Sequence, residues 1–334
     1  MSNSRLGSAA VTAVSQRSAA RAYGVALVAG AVVLAALFRP VLSGLLDRPA
    51  VANWATVFVA ITLQAVPFLV LGVTVSAAIA AYVPPSRLAR LLPRRAHAAV
   101  PAAALAGALL PGCECGSVPI ARRLIDRGAP AAAALAFLLA APAINPVVLV
   151  ATAVAFPGRP EMVAARFLAS LLASVVVGWC WLRIGRGDLL TSRRRSHEHE
   201  GTRREVFVAT AAHDFLTAGG FLIIGAATAA TLQTVVPRSL LDGLAGSGPL
   251  ALLALGVLAV VMAICSEADA FVAASLKQFS PAAQLVFMVV GPMVDVKLVA
   301  MQAGTFGRAF AVRFAPLTFG VAVGAAALIG WWLL

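Results

Sequence analysis

The sequence predicts an all-α integral membrane fold built from two inverted-topology repeats, with about seven full spans and two re-entrant helical hairpins. Three observations predict it. Hydrophobic residues make up 61% of the 334 residues and charged residues only 12%, with a mean hydropathy of +0.94. A soluble domain carries roughly 45–50% apolar and ~25% charged residues. Apolar runs of about twenty residues recur along the chain, the length that crosses a hydrocarbon core as a helix. Backbone groups in lipid must be satisfied within their own segment, and strand-type alternation is absent, so the runs read as helices. Finally, the two halves of the chain repeat the same helix-breaking and polar anchors.

In order, the apolar segments are 23–46, 51–82, 98–112, 130–156, 163–182, 207–236, 249–265, 281–303 and 309–334. Before them lies a Ser-, Ala- and Arg-rich tail with no acids, Met1 to Arg21. It leads into a run without a small-residue cleavage site, read as a retained first span. Segments 98–112 and 249–265 are short. Fifteen helical residues reach only about 22 Å, against a core of roughly 30 Å. Arginine placement sets the topology. Arg87, Arg90, Arg94 and Arg95 precede the first short run, and Arg183, Arg186, Arg193, Arg194, Arg195, Arg203 and Arg204 follow 163–182. Both loops are expected in the cytoplasm. They share a side if 98–128 enters and returns as a hairpin, which also keeps Arg122, Arg123 and Arg127 inside; two short full crossings would give the same parity. The same logic makes 249–276 a hairpin from the opposite face.

The expected layout is an N-terminal tail and first span (1–50), a first repeat (51–182), a cytoplasmic basic linker (183–206) and a second repeat (207–334), in the cell inner (plasma) membrane with the N-terminus cytoplasmic. The net charge of +13 is then topological rather than a nucleic-acid footprint. His197-Glu198-His199-Glu200 in the linker reads as a solvated tract rather than a metal site. His213 and Asp214 read as helix-end capping, Cys180 as apolar filler, and Trp331 and Trp332 as interfacial anchors.

The repeat rests on matched anchors. Phe68-Leu69-Val70-Leu71-Gly72 matches Phe221-Leu222-Ile223-Ile224-Gly225, each followed at the same distance by a proline, Pro84 and Pro237. Leu135-Ala136-Phe137 matches Leu285-Val286-Phe287, and Pro142-Ala143-Ile144-Asn145 matches Pro292-Met293-Val294-Asp295. Between the anchors lie Cys113-Glu114-Cys115-Gly116 and Cys265-Ser266-Glu267-Ala268-Asp269. Inverted repeats with interrupted helices in matching places point to a transporter with a midplane site.

The stretch from Pro111 to Pro119 carries the most chemistry. Pro111, Gly112, Gly116 and Pro119 disfavour a continuous helix, and unwound backbone at membrane depth survives only inside protein or beside a cavity. On a regular helix Cys113 and Cys115 would diverge; in an unwound turn they converge and suit Cu(I), Zn(II) or trivalent arsenic. The alternative is that buried cysteines are small apolar filler. Glu114, Glu267, Asp269 and Asp295 are acids in or beside apolar segments, each costing roughly 2.5–3.5 kcal/mol on insertion scales. Such residues line pathways or relay protons, unless they are simply paired, with Lys297 for Asp295 and Lys277 for Asp269. Asn145 lies between Pro142 and Pro146, where its amide contacts substrate or satisfies freed carbonyls. Four cysteines in or beside apolar segments, Cys113, Cys115, Cys180 and Cys265, do not form a disulfide framework. No Walker A, H-E-x-x-H or Gly-rich nucleotide motif occurs, so neither an enzyme nor an ATP-driven pump is expected, and no cofactor.

The motif Pro111-Gly112-Cys113-Glu114-Cys115-Gly116-Ser117-Val118-Pro119, the run Ala134 to Pro146, and Ser266-Glu267-Ala268-Asp269-Ala270-Phe271 with Gly291-Pro292-Met293-Val294-Asp295 resemble the ArsP-like/YraQ-like permease family over about residues 55 to 310. The resemblance implies a membrane permease. Some family members export trivalent organoarsenicals, and some are linked to metal homeostasis beside a small accessory membrane subunit. The expected function is a secondary permease exporting a small thiophilic solute, trivalent organoarsenicals being the favoured case. Cys113, Cys115 and Cys265 would hold the solute; Glu114, Glu267 and Asp269 would couple release to proton uptake; Asn145 and Asp295 complete the expected substrate-binding set. The alternatives are a divalent metal-ion permease with the acids as ligands, a membrane thiol oxidoreductase using Cys113 and Cys115, or a structural scaffold. Expected partners are the lipid bilayer and the solute; an accessory subunit and homo-oligomerisation are admitted, and nucleic acid is not.

Overall fold

The computed structural model describes residues 49–84, 93, 95–110, 113–185, 202–235 and 248–334. The expected first span at 23–46, the loop arginines Arg87, Arg90 and Arg94, the breakers Pro111 and Gly112, most of the basic linker including His197 to Glu200, and Pro237 lie outside the described residues. The chain divides into two compact units, 1–55 and 56–334. Of the first, the described part is the opening of a helix; the second holds the rest of that helix and all the others.

All regular structure among the described residues is helical. Helix α1 (Pro49–Tyr82) is long, apolar and contains Pro67. The first short run becomes α2 (Ala96–Gly107), and α3 (Glu114–Asp126) leads back from the break. The next apolar segment forms α4 (Ala131–Ile144) and α5 (Pro146–Ala155), interrupted at Asn145, and α6 spans Pro160–Ile184. In the second half, α7 (Arg203–Val235) opens with a reciprocal cap: Thr202 N donates to Glu205 Oε2 at 2.9 Å and Glu205 N to Thr202 Oγ1 at 3.4 Å. Short helices α8 (Pro249–Met262) and α9 (Asp269–Ser275) flank the second break. The 281–303 segment is divided into α10 (Pro281–Val290) and α11 (Val296–Thr305), and α12 (Arg308–Leu333) closes the chain. The order of elements is thus the same in 49–184 and 203–333: a long helix, two short ones, a helix broken in two, and a long helix.

Among the described residues, five stretches are long and apolar enough to cross a membrane: Pro49–Tyr82, Ala131–Ala155, Pro160–Ile184, Arg203–Val235 and Arg308–Leu333. The hydrophobic window of the Ala131–Ala155 stretch is 78% buried, against 22% for α1. The broken helix therefore occupies the centre while α1 faces outward with Leu63, Val66 and Val70 exposed. Helix α4 packs on α2, α3 and α6; α10 packs on α8, α9 and α12. The halves join along α6 and α12, where Trp181 meets Phe310 and Phe314 edge-on at centroid distances of 5.2 and 5.5 Å. The hairpin helices cross over, α3 touching α11 and α9 touching α5.

Close approach at two points depends on glycine. A methyl group at Gly72 on α1 would fall onto the backbone of Gly116 on α3, and one at Gly225 on α7 would lie 2.6 Å from Lys297 Cα on α11. These two glycines end the matched runs Phe68 to Gly72 and Phe221 to Gly225 of the sequence.

Candidate functional site

The first break is shorter than the sequence suggests. Helix α3 starts at Glu114 and runs through Gly116 and Pro119, so those two residues do not unwind it. Gly116 serves the packing against α1, and the Pro119 carbonyl accepts a hydrogen bond from Ser76 Oγ at 3.3 Å. Cys113 is the N-cap, with extended backbone (φ −86°, ψ 176°), and Cys115 lies in the first turn. The Cys113 thiol, at the cap, lies within 4.8 Å of the Cys265 thiol, while Cys115 has already entered the helix.

The second break spans Ala263 to Ala268. Ala263 is the one non-glycine at positive φ among the described residues (φ 45°), a left-handed conformation that costs an L-residue roughly 1–2 kcal/mol. Carbonyls at the end of α8 lose their helical partners here, and side chains from other helices replace them. Gln233 of α7 donates to Met262 O at 2.5 Å, Lys297 of α11 to Ala263 O at 3.4 Å, and Arg166 of α6 to Ser266 O at 3.3 Å. The unwound segment is thus held by three helices, as backbone away from water requires.

Between the breaks sits a cluster of sulfur and carboxylate. Cys113 Sγ, a Glu114 carboxylate oxygen and Cys265 Sγ all lie within 4.8 Å of one another. Cys113, Cys115 and Cys265 are buried, and none is in a disulfide. Glu114 is fully buried and forms an ion pair with Lys297. Lys297 Nζ also lies 3.6 Å from Asp295 Oδ2. Both oxygens of Glu114, both of Glu267 and Oδ2 of Asp295 are buried without a hydrogen-bond partner. A small cleft of about 10 Å³, partly open to its surroundings, reaches Cys113 between Phe68, Gly72, Leu110, Gly116 and Ser117.

Asp269 stands apart from that cluster. It accepts both arms of the Arg166 guanidinium at 2.8 Å each, and Arg166 Nη1 also donates to Thr152 Oγ1 at 2.9 Å. The local pairing with Lys277 does not occur: Lys277 is exposed, and the partner of Asp269 comes from α6. Asn145 and Asp295 act alike as helix caps. Asn145 Oδ1 accepts from Val148 N at 3.0 Å while its Nδ2 donates to Ala141 O, and Asp295 Oδ1 accepts from Leu298 N at 2.5 Å. Each starts the second piece of its broken helix. Asp214 does not cap α7, which begins well before it; it accepts from Ser76 Oγ at 2.7 Å and pairs with Arg123 at 3.2 Å.

The sequence reading missed Arg166, and it gave Lys297 only a local role. A lone arginine in an apolar span is the available signal, but Arg166 lies near the start of its segment and reads as a flank.

The ArsP_1 family model, described as a predicted permease, matches residues 50–330. The chain is 37% identical over 262 residues to the UPF0718 protein YcgR of Bacillus subtilis (strain 168), covering 76% of this chain and 89% of that one. It is 32% identical over 267 residues to a Streptococcus mutans protein named "Putative two-component membrane permease complex subunit", covering 77% and 88% respectively. No solved structure matches. The chain, with five stretches among its described residues long and apolar enough to cross a membrane, belongs to the ArsP_1 family of predicted permeases.

Proposed function

We propose that this membrane permease exports a small thiophilic solute by a secondary mechanism, trivalent organoarsenicals being the favoured substrate. The observation that carries the reading is the meeting of Cys113 and Cys265 from two separate chain breaks beside Glu114, with Cys115 buried in the first turn of α3. Two or three converging thiols take a soft trivalent centre as no oxygen cage would. A methylarsenic(III) species bonds to two sulfurs and exchanges them without any change of oxidation state.

The layout supports alternating access. Residues 51–182 and 207–334 form two inverted repeats, and each contributes a hairpin to the shared site. The topology comprises about seven spans and two re-entrant hairpins, with the N-terminus cytoplasmic in the inner membrane. Glu114 and Glu267 take up protons as the solute leaves; Asp269, held by Arg166, frames the site. The Streptococcus mutans relative is named as a complex subunit, and a second membrane subunit is proposed here by that likeness.

Everted membrane vesicles test the reading. Vesicles carrying the wild-type chain accumulate methylarsenite, and the Cys113→Ser/Cys115→Ser/Cys265→Ser variant does not. Unchanged accumulation by the triple variant rules out the thiol mechanism.

A further inference from the structure

We propose that Cys113, Glu114 and Cys265 form a binding site for a borderline-soft divalent cation of the Zn(II) or Cd(II) class, for which Lys297 is a tethered competitor. This shares a thiol cluster with the transport reading but does not require organoarsenical transport to be correct.

The donor set comes first. Two sulfurs and one carboxylate oxygen are mutually within 4.8 Å. Tetrahedral Zn(II) with Zn–S bonds of about 2.3 Å places its sulfur ligands roughly 3.8 Å apart, so closure needs at most about 1 Å of movement. The ligands sit on two hairpins, at the cap of α3 and in the unwound turn before α9, where side chains adjust without breaking a helix. Thiolate pairs favour Zn(II) and Cd(II) over magnesium or calcium, which want oxygen cages. On coordination each S–H bond is replaced by an S–metal bond, and two protons return to solvent.

Independently, Glu114 is fully buried, yet neither of its oxygens accepts a hydrogen bond. Its close cationic neighbour is the Lys297 ammonium. That ammonium has a second seat: Asp295 Oδ2, 3.6 Å away, also buried without a hydrogen bond. Lys297 is only 1% exposed and cannot retreat to water. A divalent ion on Glu114 therefore displaces the ammonium towards Asp295. A cation that competes with the metal predicts an inverted mutational effect: removing a buried lysine tightens binding.

The test is a titration of purified full-length protein in detergent with cadmium chloride, read by the ultraviolet thiolate-to-cadmium charge-transfer band. Wild type binds one equivalent. Cys113→Ser and Cys265→Ser each weaken binding by on the order of tenfold or more, Cys180→Ser leaves it unchanged, and Lys297→Met strengthens it. Monodispersity on size exclusion checks folding; if Lys297→Met does not fold, Lys297→Met/Asp295→Asn takes its place. Absence of the band in wild type, or a band that depends on Cys180 rather than on Cys113 and Cys265, overturns the site. Weaker binding in a folded lysine variant overturns the competition. Cadmium binding without methylarsenite accumulation contradicts the transport reading alone, and accumulation without cadmium binding contradicts this inference alone.

Discussion

Among the described residues, two fully buried ion pairs tie the halves of this protein together, and they are built differently. Arg166–Asp269 is closed: two parallel hydrogen bonds at 2.8 Å, with Thr152 and the Ser266 carbonyl taking further guanidinium donors. Lys297 is shared between Glu114 and Asp295, and its acids keep oxygens without hydrogen bonds. A planar guanidinium presents a fixed fork that fits one carboxylate bidentately, whereas an ammonium is a point charge that moves between acceptors. The contrast teaches where rigidity and mobility lie. The arginine pair clamps the α9 hairpin to α6. The lysine lies between two acids, next to the sulfur cluster, where a charge that changes partners can be coupled to a solute.

The largest effect expected from this contrast is on the clamp. Arg166→Met leaves Asp269 buried and alone, and removing one partner of a buried pair costs about 3–5 kcal/mol. Thermal unfolding in detergent should show a large loss, with most of it recovered in Arg166→Met/Asp269→Leu. A full-strength Arg166→Met protein would erase the distinction between the two pairs. Lys297→Met should show the converse: a smaller stability loss than Arg166→Met, with solute accumulation in vesicles abolished.

Packing gives the next step down. Gly72→Ala places a methyl group on the Gly116 backbone, and overpacking of this kind typically costs about 1–3 kcal/mol. Because Gly116 belongs to the same helix as Cys115 and Glu114, transport should fall further than stability. The smallest effect belongs to the caps. Asn145→Ala removes the acceptor for Val148 N and should cost about 1 kcal/mol, as N-cap losses do, whereas Asp295→Asn keeps the cap and removes only the charge beside Lys297. If both variants are equally stable and equally active, the asymmetry between Asn145 and Asp295 carries no function.

Much of this site could be read in the sequence, and the reason is cost. Cysteines and acids next to helix breakers inside apolar runs are expensive, so Cys113, Glu114, Cys265 and Glu267 drew attention without any structure. The same holds for the matched anchors: Gly72 with Gly225, and Asn145 with Asp295, hold equivalent places in the order of elements. Long-range pairing could not be read. Lys297 has an acid two residues away and was given to it, but its ion pair to Glu114 exists only because α3 and α11 cross. Asp269 was matched with a lysine eight residues on, while its partner waits on another helix. The extent of the first break was also misjudged. Gly116 and Pro119 signal unwinding locally, but packing against α1 keeps both in a helix.

The central claim, that the two chain breaks meet, is tested most directly by cross-linking Cys113 to Cys265. In a Cys115→Ser/Cys180→Ser background, with a protease site inserted in the linker between residues 183 and 206, dibromobimane should bridge the two thiols. The two halves should then stay joined after cleavage, and prior methylarsenite should block the bridge. Halves that separate under these conditions, in protein whose thiols the reagent has consumed, would contradict a shared site.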